Sequence, residues 1–454
     1  MHPARLRSIL LTIASFLLAS APAFSDSQVR SVRLSYVEGS VQIAHADGQF
    51  DKAMVNLPIT QDTHLRSNDD ARAEVEFEDG STLRIAPNSS VEFPQLLLRD
   101  SGAKASYVEI RKGTAYVDFS GEKKDEFVLQ FGKEKIALER PAHLRIEIAD
   151  DGTSVAVFKG GVEVEGSSGT LRVKKNQTGT FDPSGAQQLV KDIEEASLDA
   201  WDKQQSDYHV RYASNSYTQY SPYAYGTADL AYYGNFFNAP GYGRCWQPYF
   251  VGMGWDPFMD GAWSFYPGWG FGWVSAYPWG WVPYHYGTWV FLPGNGWAWQ
   301  PGGVWTGWYT APHILNPPNG FRTPKAPTSG THTLIVSRGS GPTTFSGNKA
   351  VIRNNSAGLG IPRGQVNNLA KASHELQARG TVTERVHAPA AAPAMTTSAR
   401  GDAGMGRGSQ GSHPTSSQST SRTSSPASTP RMSSPPPAPS SHPAPAPSVG
   451  RGPR

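Results

Sequence analysis

Twelve of the 13 tryptophans fall between Trp246 and Trp308. A chain that gathers its largest side chains in so short a window must bury most of them against one another, because soluble proteins rarely expose extended apolar patches. Within the window the pattern Gly-x-aromatic-x-x-x-Pro-Gly-x-Gly-x-x-Trp recurs at Gly234–Trp246, Gly261–Trp273 and Gly287–Trp299, with offsets of 27 and then 26 residues. Fixed spacing of this kind marks a repeated supersecondary unit. Pro240-Gly241, Pro267-Gly268 and Pro293-Gly294 open turns that a following glycine completes, so each copy predicts a β-hairpin. Alternation then places Trp289, Phe291, Trp297 and Trp299 on one face of the third hairpin and Trp263, Phe265, Phe271 and Trp273 on the matching face of the second. The first copy offers Phe236, Asn238, Arg244 and Trp246 there, a degraded face suited to an end cap or a solvent-facing unit. Residues 233–310 are therefore expected to form a small three-hairpin β domain with a shared aromatic core.

Two readings compete for the rings. As core, their indole N–H groups would bond to turn carbonyls; as platforms, flat rings would stack on the apolar faces of sugars. Each ring covers roughly 150–250 Å², so at most two or three can lie on the surface. Core filling is preferred, and Trp255, Trp269 and Trp279, which lie outside the alternating faces, are the candidate ligand-binding residues. His285, between Tyr284 and Tyr286, has no second ligand at metal-binding spacing and reads as a packing residue. Cys245 is the only cysteine, which excludes a disulfide framework and thiolate-clustered metal sites. It reads as a buried apolar residue, with an intermolecular disulfide as the alternative if it were exposed.

The chain of 454 residues exceeds one ordinary domain. Abundant turn residues, 47 Gly and 36 Pro, argue against a helical bundle. Arg5 and Arg7, the apolar run Ile9–Ala19 and the small residues from Ala21 to Ser25 have the three-part layout of a secretory signal peptide over residues 1–25. Cleavage is expected near Ala23 or Ser25, and no cysteine stands there to accept a lipid. The run is shorter than the roughly 20 residues a spanning helix needs, so no integral membrane segment is expected after cleavage. A periplasmic or secreted location follows, where nucleotide-driven chemistry is disfavoured.

Over residues 29–183, apolar residues alternate with polar ones: Val32, Leu34 and Tyr36; Val41 and Ile43; Val75 and Phe77; Leu83 and Ile85; Leu144, Ile146 and Ile148. Turn pairs such as Asp79-Gly80 and Gly160-Gly161 separate these bursts, which predicts a rolled β sandwich or a β-helix-like domain. Glu74, Glu76, Glu78 and Asp79 read as a solvated strand face rather than an acid/base pair. The pieces Val37-Glu38-Gly39-Ser40-Val41, Leu65-Arg66-Ser67, Phe77 through Ile85 with Pro87-Asn88-Ser89, Arg111 through Ala115, and Val157 through Val164, in that order, resemble the extracytoplasmic domain of the FecR family. That resemblance implies a periplasmic interaction module. Family members that regulate iron-citrate uptake add a membrane span and a cytoplasmic part, and nothing in this chain can play that part. The Trp-rich window likewise resembles a domain of unknown function that follows FecR-type domains in exported bacterial proteins, through Asp229-Leu230, Tyr233-Gly234, Asp260-Gly261-Ala262-Trp263, Tyr277 through Trp281, and Tyr284 through Gly287 with Trp289.

Between the two, residues 186–232 predict one amphipathic linking helix through Leu189, Ile193, Ala196, Ala200 and Trp201, with Asp192, Glu195 and Lys203 on its polar face, then a Tyr-rich connector. Residues 1–320 carry 26 Lys plus Arg against 35 Asp plus Glu, whereas residues 321–454 carry 15 against 3. The segment 311–454, rich in Pro, Ser and Thr, is expected to be a disordered basic tail, with scattered arginines that favour loose attraction to anionic envelope polymer over nucleic acid. No Gly-x-Ser-x-Gly elbow, His-Glu-x-x-His helix or triad order is present, so no enzyme, cofactor or metal is expected. The favoured function is a non-enzymatic exported scaffold that binds envelope proteins; the alternative is a glycan- or cell-wall-binding protein. Oligomeric state is left open.

Overall fold

The computed structural model describes residues 30, 32–45, 48–121, 124–213, 225–303 and 312–387. The N-terminal part is a roll of two β layers joined through one long strand, Lys104–Phe119. One layer runs in spatial order from Phe50–Lys52 through Val41–Ala44, Thr63–Ser67, Ser90–Leu98, the first half of the long strand, Glu126–Phe131, Glu134–Ala137 and Gly161–Gly166 to Gly169–Lys174. The other runs from Pro58–Ile59 through Val32–Glu38, Arg72–Glu76, Thr82–Ile85, the second half of the long strand, Ala142–Ala149, Gly152–Lys159 and Gln177–Phe181 to Gln187–Val190. The long strand passes between layers at Gly113, whose φ is +80° and whose missing Cβ would lie 2.4 Å from Ser89 Oγ. Only glycine fits both demands.

The alternating residues read from the sequence do fill the roll. Val32, Leu34, Leu65, Leu83, Val117, Leu144 and Ile146 are completely buried. A second polar group of expectations fails. Glu74 and Glu76 are also buried, because helix α1, Asp199–Tyr212, covers the outer face of their strand. These carboxylates are not a solvated face.

The linking helix is displaced from its predicted place. Leu189 and Val190 belong to an edge strand, and the helix starts at Asp199 with Asp199 and Asp202 in its first turn. The apolar spacing that pointed to 189–201 counted strand residues as helix. Residues 214–224, holding most of the Tyr-rich connector, lie outside the described residues.

Each copy of the aromatic motif is an antiparallel hairpin in the register its alternation implies. Phe236 faces Trp246, Trp263 faces Trp273 and Phe265 faces Phe271, and Trp289 faces Trp299 and Phe291 faces Trp297. Hairpins one and three share a sheet through the Trp246–Trp299 pairing, with His313–Leu315 added in parallel at its edge. Hairpin two instead pairs with Leu334–Ser337. Helix α2, Thr227–Tyr233, leads into hairpin one, and the single turn α3, Val282–His285, precedes hairpin three.

Disorder from residue 311 is contradicted for 312–387. That stretch supplies the strands just named, a small sheet of Thr344–Ser346, Lys349–Arg353 and Thr381–Arg385, and helix α4, Leu369–Arg379. Ala350, Ile352, Ile361, Val366, Leu369 and Leu376 are buried. Its isolated apolar residues are ordered by docking on the aromatic region, as when Trp279 Nε1 donates to Ala357 O at 2.7 Å and Tyr233 Oη to Ile361 O at 2.7 Å. Residues 388–454 and the signal-like 1–25 lie outside the described residues.

Candidate functional site

The most concentrated chemistry in the described residues is a buried ionic seam where the roll, α1, α2 and the 360s segment meet. It is built from cross-strand neighbours: in the roll Glu74 lies opposite Arg84 and Arg33 opposite Glu76. Arg33 donates to Glu76 Oε2 from Nη2 at 2.6 Å and from Nε at 3.0 Å, and its Nη2 also reaches Asp229 Oδ2 at 2.6 Å. Arg84 Nε donates to Glu74 Oε2 at 2.8 Å while its Nη1 donates to Asp202 Oδ1 at 2.7 Å. Arg363 closes the seam, with Nη1 to Glu74 Oε1 at 2.8 Å and Nε and Nη2 to the two Asp229 oxygens at 2.9 Å each. Ser35 Oγ donates to Glu74 at 2.6 Å and Tyr208 Oη to Asp229 at 2.9 Å. His209 Nε2 stands 3.0 Å from Glu74, and His143 Nε2 stands 2.7 Å from Asp202.

These contacts explain why α1 forms where it does. Asp199, Asp202, Ser206 and His209 make one helical stripe and face the roll, where Asp199 takes bonds from Arg145 and Tyr116 and Ser206 accepts from Arg84. The buried side of the helix mixes aromatic with polar residues, Trp201 and Tyr208 with Asp202 and Gln205, so a search for an apolar stripe alone misplaces it. Burial alone would raise the Glu74 and Asp229 carboxyls. The neighbouring His209, Arg84 and Arg363 outweigh burial and hold Glu74 well below the usual carboxylate range; Arg363 and Arg33 likewise hold Asp229 low.

Such a seam fastens elements, and every carboxylate in it is engaged by a cation. Among the described residues, no group of three or more His, Cys, Asp or Glu side chains is placed to hold a metal ion. The sequence signal for the seam was available in part. Glu74 and Arg84 flank the Asp79-Gly80 turn at a spacing that pairs them across a hairpin, but Asp202, Asp229 and Arg363 are brought in only by tertiary structure.

Of the candidate ligand-binding rings, Trp255 and Trp279 are buried, at 1% and 0% exposure, and cannot present a face to a sugar. Their place off the hairpin faces makes them candidates only if some rings are exposed; in the fold they plug the space between hairpins. Trp279 stacks on Tyr277 with centroids 5.0 Å apart, and touches Trp246 at 5.0 Å and Trp289 at 5.9 Å. Trp255 Nε1 donates to Tyr277 Oη at 3.0 Å. Trp269, in the turn of hairpin two, is 48% exposed. His285 is a packing residue, its Nδ1 2.7 Å from Trp281 O, and Cys245 is buried, which pushes its thiol up.

The roll and the aromatic region also touch directly. Asn56 Nδ2 donates to Ser275 O at 3.0 Å and Tyr277 O at 2.7 Å, and Tyr266 Oη to Pro58 O at 3.1 Å. A cleft of about 320 Å³ runs along this junction, lined by Tyr36, Glu38, Tyr233, Pro278, Ile361 and Gln365 among others.

Two parts of the chain match known families. Residues 63–163 match the FecR protein family, and residues 227–316 match a family of unknown function, DUF6600. The chain thus carries a FecR domain followed by a DUF6600 domain. Two crystal structures of a putative anti-sigma factor from Parabacteroides distasonis ATCC 8503, at 2.50 Å and 1.65 Å resolution, are similar at 16% identity, with TM-scores of 0.27 and 0.26. The match covers 30% of this chain and 63% of that one, less than two thirds of its length. A comparison with curated proteins finds no match. Among the described residues no helix is long and apolar enough to cross a membrane.

Proposed function

We infer that this protein is a non-enzymatic interaction scaffold of the cell envelope, exported by its N-terminal signal and binding protein partners through its FecR and DUF6600 domains. The observation that carries this reading is the buried seam, whose ionic groups are engaged with one another and tie the roll to the aromatic region through Arg33 and Asp229. The FecR match over residues 63–163 supports protein partners. One observation favours a second reading, glycan binding: Trp269 leaves about half its surface in solvent.

The two are separated by placing a photo-crosslinking amino acid at Trp269 in the full chain and, in parallel, probing the unaltered chain against a glycan array. The scaffold reading expects discrete protein adducts from envelope preparations and a blank array. Array binding that disappears in Trp269→Ala would replace it with the glycan reading.

A further inference from the structure

We propose that the protein forms a twofold dimer by edge-to-edge pairing of the strand Leu334–Ser337, with Ile335 on the axis facing its own copy. This strand is outermost in the sheet of hairpin two. It pairs on one side with Asp260–Trp263, in the register Asp260↔Ser337 through Trp263↔Leu334, and among the described residues no strand lies on its other side. An open edge offers unpaired backbone donors and acceptors, and proteins normally guard such edges with charge, proline or brevity.

Several other outer strands are guarded, whereas Gln187–Val190, Gly234–Ala239 and Gly270–Ser275 carry neither charge nor proline. Phe50–Lys52 is three residues long and carries Asp51 and Lys52; Gly169–Lys174 carries Arg172 and Lys174; Thr381–Arg385 ends in Glu384 and Arg385; and His313–Leu315 runs into Pro317 and Pro318. Leu334–Ser337, four residues long, carries neither charge nor proline, and its Ile335 is the most exposed large apolar side chain of the described strands. Its Leu334 is 50% exposed and its Ile335 72% exposed, on opposite faces of the sheet.

The edge is also held in place before any partner arrives. Ser337 Oγ donates to Asp260 Oδ1 at 2.9 Å, Arg338 N donates to Met259 O at 2.8 Å, and Arg338 Nη2 donates to Phe258 O at 2.9 Å.

A second copy is the occupant that the sequence of the strand fits. Antiparallel pairing centred on Ile335 sets Leu334 against Val336 and Thr333 against Ser337, so apolar meets apolar and hydroxyl meets hydroxyl. A one-residue slip in either direction sets Leu334 against Ser337 or Thr333 against Val336 and leaves two apolar pairs in place of three. Because Leu334 is the cross-strand neighbour of Trp263, the partner's strand would extend an existing apolar row. The contact is isologous and closes at two copies. So short an edge buries an area at the low end for specific interfaces, which implies a weak, concentration-dependent dimer.

The test uses the full chain in sedimentation velocity from about 5 to 200 µM, a range chosen for weak interfaces. A monomer–dimer equilibrium is expected for the parent. Ile335→Lys, which sets two like charges together on the axis, is expected to stay monomeric with an unchanged thermal midpoint. Ile335→Cys is expected to form a disulfide-linked dimer on mild oxidation, since directly opposed strand residues lie about 4.5–5.5 Å apart at Cα, within disulfide reach. Phe345→Cys, 49% exposed at a different edge, is the control for random collision, and the native Cys245 is buried. A parent that stays monomeric throughout, an Ile335→Lys chain that still dimerises, or an Ile335→Cys chain that crosslinks no better than Phe345→Cys would overturn the proposal. Assembly beyond two copies would overturn the twofold register.

Discussion

Asp229 takes hydrogen bonds from Arg33, Arg363 and Tyr208, and so touches the roll, the 360s segment and α1 from its own place in α2. Replacing it with asparagine leaves two buried guanidiniums short of charge, and breaking a buried pair from one side costs about 3–5 kcal/mol. Urea unfolding of Asp229→Asn is expected to show that loss. The same residue sets a pH dependence. Its carboxyl, like that of Glu74, is held below its usual value in the folded chain, so the unfolded chain binds more protons as the medium is acidified. The stabilisation is fully present above the unfolded carboxylate range, near pH 4, and is lost as pH falls through the depressed folded values. Thermal midpoints measured down an acid series should decline below about pH 4 and decline less steeply in Asp229→Asn.

At the scale of elements, the aromatic hairpins were the most legible part of the chain, and the structure shows why their glycines recur with their tryptophans. The glycine opening each motif lies beneath the tryptophan that closes it. A Cβ on Gly234 would stand 2.4 Å from the Trp246 ring, one on Gly261 2.4 Å from the Trp273 ring, and one on Gly287 2.6 Å from Trp299 Nε1. The twelve-residue interval is a packing distance across a hairpin. Gly261→Ala is therefore expected to destabilise by about 1–3 kcal/mol through overpacking, read by urea unfolding with indole fluorescence; an unchanged midpoint would contradict this account. Helix α1 is the opposite case. Its inward stripe of Asp199, Asp202 and His209 makes sense only beside Arg145, Arg84 and Glu74, which lie far away in sequence. The strand Arg72–Glu76 misled for the same reason: alternation reports which residues share a face, and cannot report that both faces are covered.

At the scale of the whole molecule, the sequence located the FecR domain and the Trp-rich region but placed the end of folded structure too early. Residues 312–387 have few apolar side chains, in no periodic order, and they are held by single anchors such as Ala357 O against Trp279 and Arg363 against Glu74 and Asp229. Composition measures whether a segment can fold alone, and this one folds upon another. A chain ended after residue 316 is expected to unfold at markedly lower temperature than the full chain in calorimetry, because it lacks Arg363 and leaves Asp229 and Glu74 under-neutralised. Equal midpoints would show that the 360s segment is dispensable.

Arg363 and Glu74 stand 289 positions apart. Synthesis runs from the N-terminus, so Glu74 is made together with Arg84, its neighbour in the roll, and long before Arg363, the last of its cations. Each new molecule therefore passes through a period in which it is finished at one end and electrically unsettled in the middle. Arrival of one late arginine ends that period, and any product that stops short of it carries the evidence of its own incompleteness as stranded negative charge.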